Sequence, residues 1–151
     1  MTVRDRLAEL GIVLPGVSAA AGSYVPTARA GDLLFTAGQL PFVDGAFPAT
    51  GRVGADVSAE DAKGCARIAA LNLLAAVDAA VGLDAVVRVV KLVGFVASAD
   101  GFTGQPGVIN GASDLMAEVF GEAGRHARSA VGVAELPLGA PVELEGILLV
   151  R

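Results

Sequence analysis

Apolar positions along the chain recur first at helical and then at strand spacing, and each change of period marks an element. Val3, Leu7 and Leu10 share one helical face that Gly11 ends, which predicts a short amphipathic helix over 2–10. A Pro- and Gly-containing extended segment follows to about Gly22. Tyr24–Arg29 and Leu33–Gln39 read as two strands around the turn Ala30-Gly31-Asp32. Residues 42–57, punctuated by Asp44-Gly45, Pro48 and Gly51, predict a loop with room for one short edge strand.

Ser58-Ala-Glu-Asp61 fits a capping box, and the helix it opens is expected to reach about Val81 and stop at Gly82. Glu60, Lys63, Arg67 and Asp78 fall on one arc of it, interrupted by Leu71 and Leu74, so burial over much of the circumference is expected. Val86–Val96 is β-branched and apolar at both parities, the pattern of a central strand covered on two faces. Gly101–Gly107 reads as a loop. Asn110 or Ser113 is expected to cap a second helix through about Phe120, closed by Gly121 and Gly124. His126–Glu135 reads as a strand, 136–141 as a turn and Val142–Val150 as the last strand.

This order, ββ(β)αβαββ, predicts an α+β sandwich with one sheet and two helices on one of its faces. The other face then needs cover from a partner subunit. One domain is expected over 1–151, with 1–22 as an amino-terminal helix and extended segment.

Composition narrows the class. The chain is 54% hydrophobic with only 18% charged residues, and its mean hydropathy is +0.63. Yet the longest uncharged stretch, Leu10 to Ala28, is broken by Pro15 and Pro26, so no membrane span is expected. Nor does the charged start, Met1-Thr-Val-Arg-Asp-Arg6, predict a signal peptide. A net charge of −5 and 5% aromatics leave neither an electrostatic footprint for nucleic acid nor a stacking platform. The single cysteine, Cys65, excludes an internal disulfide framework and a thiolate metal cage, and its apolar helical setting predicts a buried thiol. These features together predict a cytoplasmic protein. Low charge in a small chain leaves apolar area outside, which predicts an obligate oligomer.

Candidate chemistry is sparse. His126 is the only histidine, no acidic cluster has metal-ligand spacing, and no phosphate or dinucleotide loop or Gly-x-Ser-x-Gly elbow occurs in a strand-to-helix context. These absences exclude a His-based metal cluster and leave a carboxylate-only site for a hard cation open. Two sets remain. His126 and Arg128 share strand parity, and Arg128 reads either as a sheet-end charge or as a fork for a bound carboxylate. Glu143 and Glu145 share a face of the last strand, as a solvated edge or as paired acids. With the last two strands paired as a hairpin, Arg128 and Glu143 would stand roughly 20 Å apart, too far to share a cleft within one chain.

Gly31-Asp-Leu-Leu-Phe-Thr-Ala-Gly-Gln-Leu-Pro41 and Ala127-Arg-Ser-Ala-Val-Gly-Val-Ala-Glu-Leu-Pro-Leu-Gly-Ala-Pro-Val-Glu-Leu-Glu-Gly-Ile147 resemble the two signature blocks of the Rid (YjgF-like) reactive-intermediate deaminases, formerly called L-PSP endoribonucleases. With the elements between them they cover nearly the whole chain after Ser23. The resemblance implies a chorismate-mutase-like α+β fold assembled as a homotrimer, with clefts between subunits. It also implies hydrolysis of 2-imino and enamine acids to 2-keto acids and ammonia without metal or cofactor, as in 2-iminobutanoate/2-iminopropanoate deaminases. Arg128 then matches the carboxylate-holding arginine, Glu143 the water-positioning glutamate and Tyr24 the cleft-closing tyrosine. Either Asn110 or Ser113 takes the place of the cleft asparagine. Gln39 and His126 are further candidates for substrate contact.

The chain departs from the pattern at Ala37, where the signature has serine, and in a longer 100–113 segment; these features resemble a divergent branch. Two other readings stand beside the deaminase: a non-catalytic small-carboxylate binding module on the same scaffold, and an endoribonuclease. The acidic charge and the lack of a histidine pair argue against the last.

Overall fold

The computed structural model describes residues 1–17, 20 and 22–151; positions 18, 19 and 21 of the expected extended segment lie outside the described residues. Thr2 starts the first helix, α1 (Val3–Glu9), with a reciprocal cap. Its hydroxyl accepts from the Asp5 N–H at 3.0 Å, and the Asp5 carboxylate accepts from the Thr2 N–H at 2.9 Å. Two short strands follow: β1 (Thr27–Ala30) starts three residues later than the sequence predicts and runs one residue further, and β2 (Leu33–Thr36) starts where predicted and ends three residues sooner. Residues 42–57 form isolated bridges and turns; no strand occurs there among the described residues.

The second helix, α2 (Ala59–Val81), has the predicted bounds, with Ser58 accepting from the Asp61 N–H at 3.1 Å and Gly82 at φ 78° ending it. It is long and apolar enough to cross a membrane by length and composition, but residues 72–77 are buried without a break in the core. Cys65 lies in that core, where burial, and secondarily the Asp61 charge, push its thiol pKa up. Strand β3 (Val86–Ala97), helix α3 (Gln105–Phe120), strand β4 (Ala127–Val133) and strand β5 (Val142–Val150) complete the order.

Contrary to the sequence reading, α3 starts at Gln105, with Pro106 in its first turn and no side-chain cap. Asn110 and Ser113 therefore sit inside the helix, one turn apart. Both are poor interior residues that the sequence pattern assigns to caps, and their hydrogen bonds to Arg128 hold them in the helix instead.

The five strands form one mixed sheet in the order β1-β2-β5-β3-β4. The hairpin expected of the last two strands does not form. β3 lies between them, parallel to β4 and antiparallel to β5, and α3 is the crossover of the parallel pair. Helices α2 and α3 pack on one face around Leu73, Leu74, Leu92, Ile109, Leu115 and Leu148, all fully buried. They approach closely because Gly111 faces the Lys63 carbonyl at a point where any Cβ would overlap it. Arg67 then forks onto Glu118 across the helix pair, at 3.3 and 3.0 Å.

On the opposite face, away from the Glu143 end of β5, no helix covers the sheet among the described residues. Leu33, Phe35 and Val131 are exposed there beside half-buried Phe95, Ile147 and Leu149. β3 is thus an interior strand covered on one face only, not on two.

Asn72 is a buried polar side chain on α2 that the sequence pattern does not single out. Its amide donates to the carbonyls of Leu40 at 2.9 Å and Phe42 at 3.1 Å, pinning the loop that follows β2 to the core. Replacing it by Leu leaves two carbonyls without their donor. Asn72→Leu is expected to lower unfolding free energy by about 1–3 kcal/mol, measured by urea denaturation.

Candidate functional site

Residue parity places the two signature side chains on different sides of the sheet. Arg128 pairs in register with Leu92, whose side chain is in the helix-covered core, and its guanidinium reaches α3. Glu143 pairs with Phe95, three residues further along β3 and on the uncovered face. Three residues along and two strands across put their Cα atoms roughly 14 Å apart. The distance is shorter than a hairpin would give, because β3 separates β4 from β5. The two groups line separate clefts.

Around Arg128 each hydrogen bond has one possible direction. Nη1 donates to Asn110 Oδ1 at 2.8 Å and to Ser113 Oγ at 3.2 Å, which uses both of its hydrogens. His126 Nδ1 lies 2.6 Å from the Gly124 carbonyl, which can only accept, so Nδ1 carries the proton. In the neutral ring Nε2 then accepts from the Ser113 hydroxyl at 2.9 Å, and Ser113 is left as an acceptor for Arg128. The chain Arg128→Ser113→His126→Gly124 has one direction throughout. Among the described residues nothing bonds Nε or Nη2 of Arg128, so that edge of the fork is open for a planar anion. A sequence pattern offers Asn110 and Ser113 as alternatives; the structure brings both to Arg128, one turn apart on α3.

Glu143 lies in a cleft of ≈ 560 Å³ with Tyr24, Gln39, Phe42 and Leu138. The main chain of Gln39 pairs with Leu144, N–H to carbonyl, at 2.7 and 3.0 Å, which lays residues 37–39 along β5. Gly38 faces the Glu143 carboxylate so closely that a Cβ there would stand 2.7 Å from Oε2. Gly38 is therefore part of the site, and its place between Ala37 and Gln39 in the first signature block was the signal for it. The Gln39 side chain turns back to the Ala37 carbonyl at 3.4 Å. Ala37, the departure from the signature, lines this cleft too. Burial, and secondarily the Glu145 charge on the same strand face, raise the Glu143 carboxyl above the usual carboxylate range. No group of three or more metal-ligating side chains occurs among the described residues.

What the geometry can do is hold a planar anion at one cleft and present a half-buried carboxylate to a small polar reactant at the other. Residues 4–144 match the family model described as "YjgF/chorismate_mutase-like, putative endoribonuclease". The protein TCP17 of Trypanosoma cruzi is 47% identical over 97% of this chain and 92% of its own length. Among solved structures, Atu1372 of Agrobacterium tumefaciens, a protein of unknown function, is 47% identical, with a TM-score of 0.89 over 99% of this chain and 92% of that one. A Shewanella oneidensis MR-1 protein, named in the same endoribonuclease terms, is 33% identical, with a TM-score of 0.95 over 99% of this chain and all (100%) of that one. Both signature blocks fall within this likeness, and the chain belongs to the YjgF/chorismate mutase-like family.

Proposed function

We propose that the protein hydrolyses reactive 2-imino and enamine acids to 2-keto acids and ammonia, in clefts formed where Arg128 of one copy meets Glu143 of another. The observation that carries this reading is the placement of the two groups on opposite faces of one sheet. A reaction needing both has to draw them from different copies. The uncovered apolar face, with Leu33, Phe35 and Val131 exposed, supplies surface for such an assembly, and a homotrimer is the arrangement proposed.

The chemistry asks little of the protein beyond orientation. An imine carbon is already electrophilic, so fixing its plane and presenting a water to one face is the main task. The open Nε/Nη2 edge of Arg128 takes the substrate carboxylate and thereby fixes that plane, while Asn110 and Ser113 hold the other edge. Glu143, as carboxylate, accepts a proton from the attacking water and passes it to the imine nitrogen as the carbon–oxygen bond forms; the hydroxyl proton of the adduct follows by the same route as the carbon–nitrogen bond breaks, so ammonia leaves, the 2-keto acid remains and the carboxylate is restored. Tyr24 and Gln39 form walls of the Glu143 cleft. No metal or cofactor enters these steps.

Ala37 favours a second reading, a carboxylate-binding module, because it brings a methyl group to the cleft where the signature has a hydroxyl. A net charge of −5 weighs against an endoribonuclease, which must attract a polyanion.

The deciding measurement couples the purified protein to an amino-acid oxidase and follows keto-acid release. Acceleration is expected, and carboxylate binding without acceleration would favour the binding module. Arg128→Lys is expected to lower kcat/KM about 100-fold with the oligomer unchanged in sedimentation, since a point charge cannot fix a carboxylate plane. Ser113→Ala is expected to raise KM more than it lowers kcat, and Ser113→Thr, which keeps the hydroxyl between Arg128 and His126, to restore it. The pH profile gives a signed test. Activity requires the Glu143 carboxylate, so kcat/KM rises with pH through its raised pKa. Glu145→Gln removes the like charge and is expected to move that acid limb to lower pH.

A further inference from the structure

The connection between β4 and β5 contains a residue in the wrong conformation for its type. The Gly139 N–H donates to the Leu136 carbonyl at 3.2 Å, closing a four-residue turn with Pro137 second and Leu138 third. Leu138 has φ 59° and ψ 18°. A positive φ at the third position calls for glycine or asparagine, and a branched side chain there is strained. Glycine stands one residue later, at 139. Core packing does not explain the leucine, since Leu138 is 71% exposed.

What Leu138 does line is the Glu143 cleft, with Tyr24, Val25, Leu40 and Phe42. Glu143 is the only charged group among the described residues of one copy that line it, so this half of the cleft offers no cation to a second substrate carboxylate. A strained residue with no packing role, standing at a cleft, is the pattern of a residue retained for binding.

We propose that Leu138 is a specificity-determining residue. Its side chain contacts an apolar substituent carried beyond C3 of the bound 2-imino or 2-keto acid, so the site selects branched or long apolar side chains over small or anionic ones. This rests on the deaminase reading of the cleft and adds to it the substrate class.

Leu138→Asn and Leu138→Gly both suit the left-handed backbone and remove the apolar contact. Binding of pyruvate, 4-methyl-2-oxopentanoate and 2-oxoglutarate to the full chain is measured by calorimetry, alongside thermal melting and sedimentation. The wild type is expected to bind 4-methyl-2-oxopentanoate most tightly and 2-oxoglutarate least. Both variants are expected to lose about tenfold in affinity for 4-methyl-2-oxopentanoate while pyruvate binding stays within about twofold. Melting temperatures at or above the wild type are expected, because strain is relieved.

Four results would overturn the inference alone: no preference among the acids in the wild type, an equal loss for all three in the variants, melting of both variants below the wild type, or a changed sedimentation coefficient that places Leu138 in a contact between copies. A wild type that binds none of the three acids overturns the deaminase reading as well.

Discussion

The parallel pairing of β3 with β4 is the constraint from which the rest of the arrangement follows. Two parallel neighbours cannot be joined by a tight turn, so the chain must cross the sheet between them, and α3 is that crossing. The crossover lays α3 on the covered face, where Asn110 and Ser113 meet Arg128 at the start of β4. It also leaves the other edge of β3 free for β5, which enters antiparallel and carries Glu143 on the uncovered face. Had β4 and β5 formed a hairpin, α3 would have had no reason to lie over Arg128.

One consequence is a division of labour between the two sides of the sheet. The helix-covered side holds a cation with two of its five N–H donors committed, one of them through a directional chain that ends on a backbone carbonyl. The other side holds a carboxylate whose charge is disfavoured by burial and by Glu145, within a largely apolar cleft. Each half is built from several elements: β4, α3 and the turn at Gly124 for the cation; β5, the 37–42 segment and the 136–141 turn for the acid. The buried Asn72 amide ties the second of these to α2 by holding the carbonyls of Leu40 and Phe42. The cleft wall therefore depends on a core helix far from it in sequence.

Much of this was legible from the chain. The bounds of α2 follow from Ser58 and Gly82, and those of β5 from the apolar run after the Pro- and Gly-containing turn 136–141, because caps and turns are local and leave a mark in single residues. The family, too, was readable from two blocks of residues. Helix α3 was misplaced at its start because Asn and Ser ordinarily mark caps. Here hydrogen bonds to a distant arginine outweigh that preference, and no local pattern announces such a bond. The role of Asn72 has no local mark for the same reason, being defined by the carbonyls it meets, and Gly38 is marked only by its place in the first signature block.

The sequence by itself determined the element types, the excess of apolar surface and the identities of Arg128 and Glu143 as candidate groups, since these depend on residue chemistry and spacing along the chain. Only the tertiary structure decided that β3 lies between β4 and β5, that Asn110 and Ser113 both serve Arg128, and that Arg128 and Glu143 face opposite ways. The physical reason is that strand pairing between segments tens of residues apart is fixed by how the whole apolar set is best covered. Parity within a strand says which residues share a face, but only the pairing says which face that is.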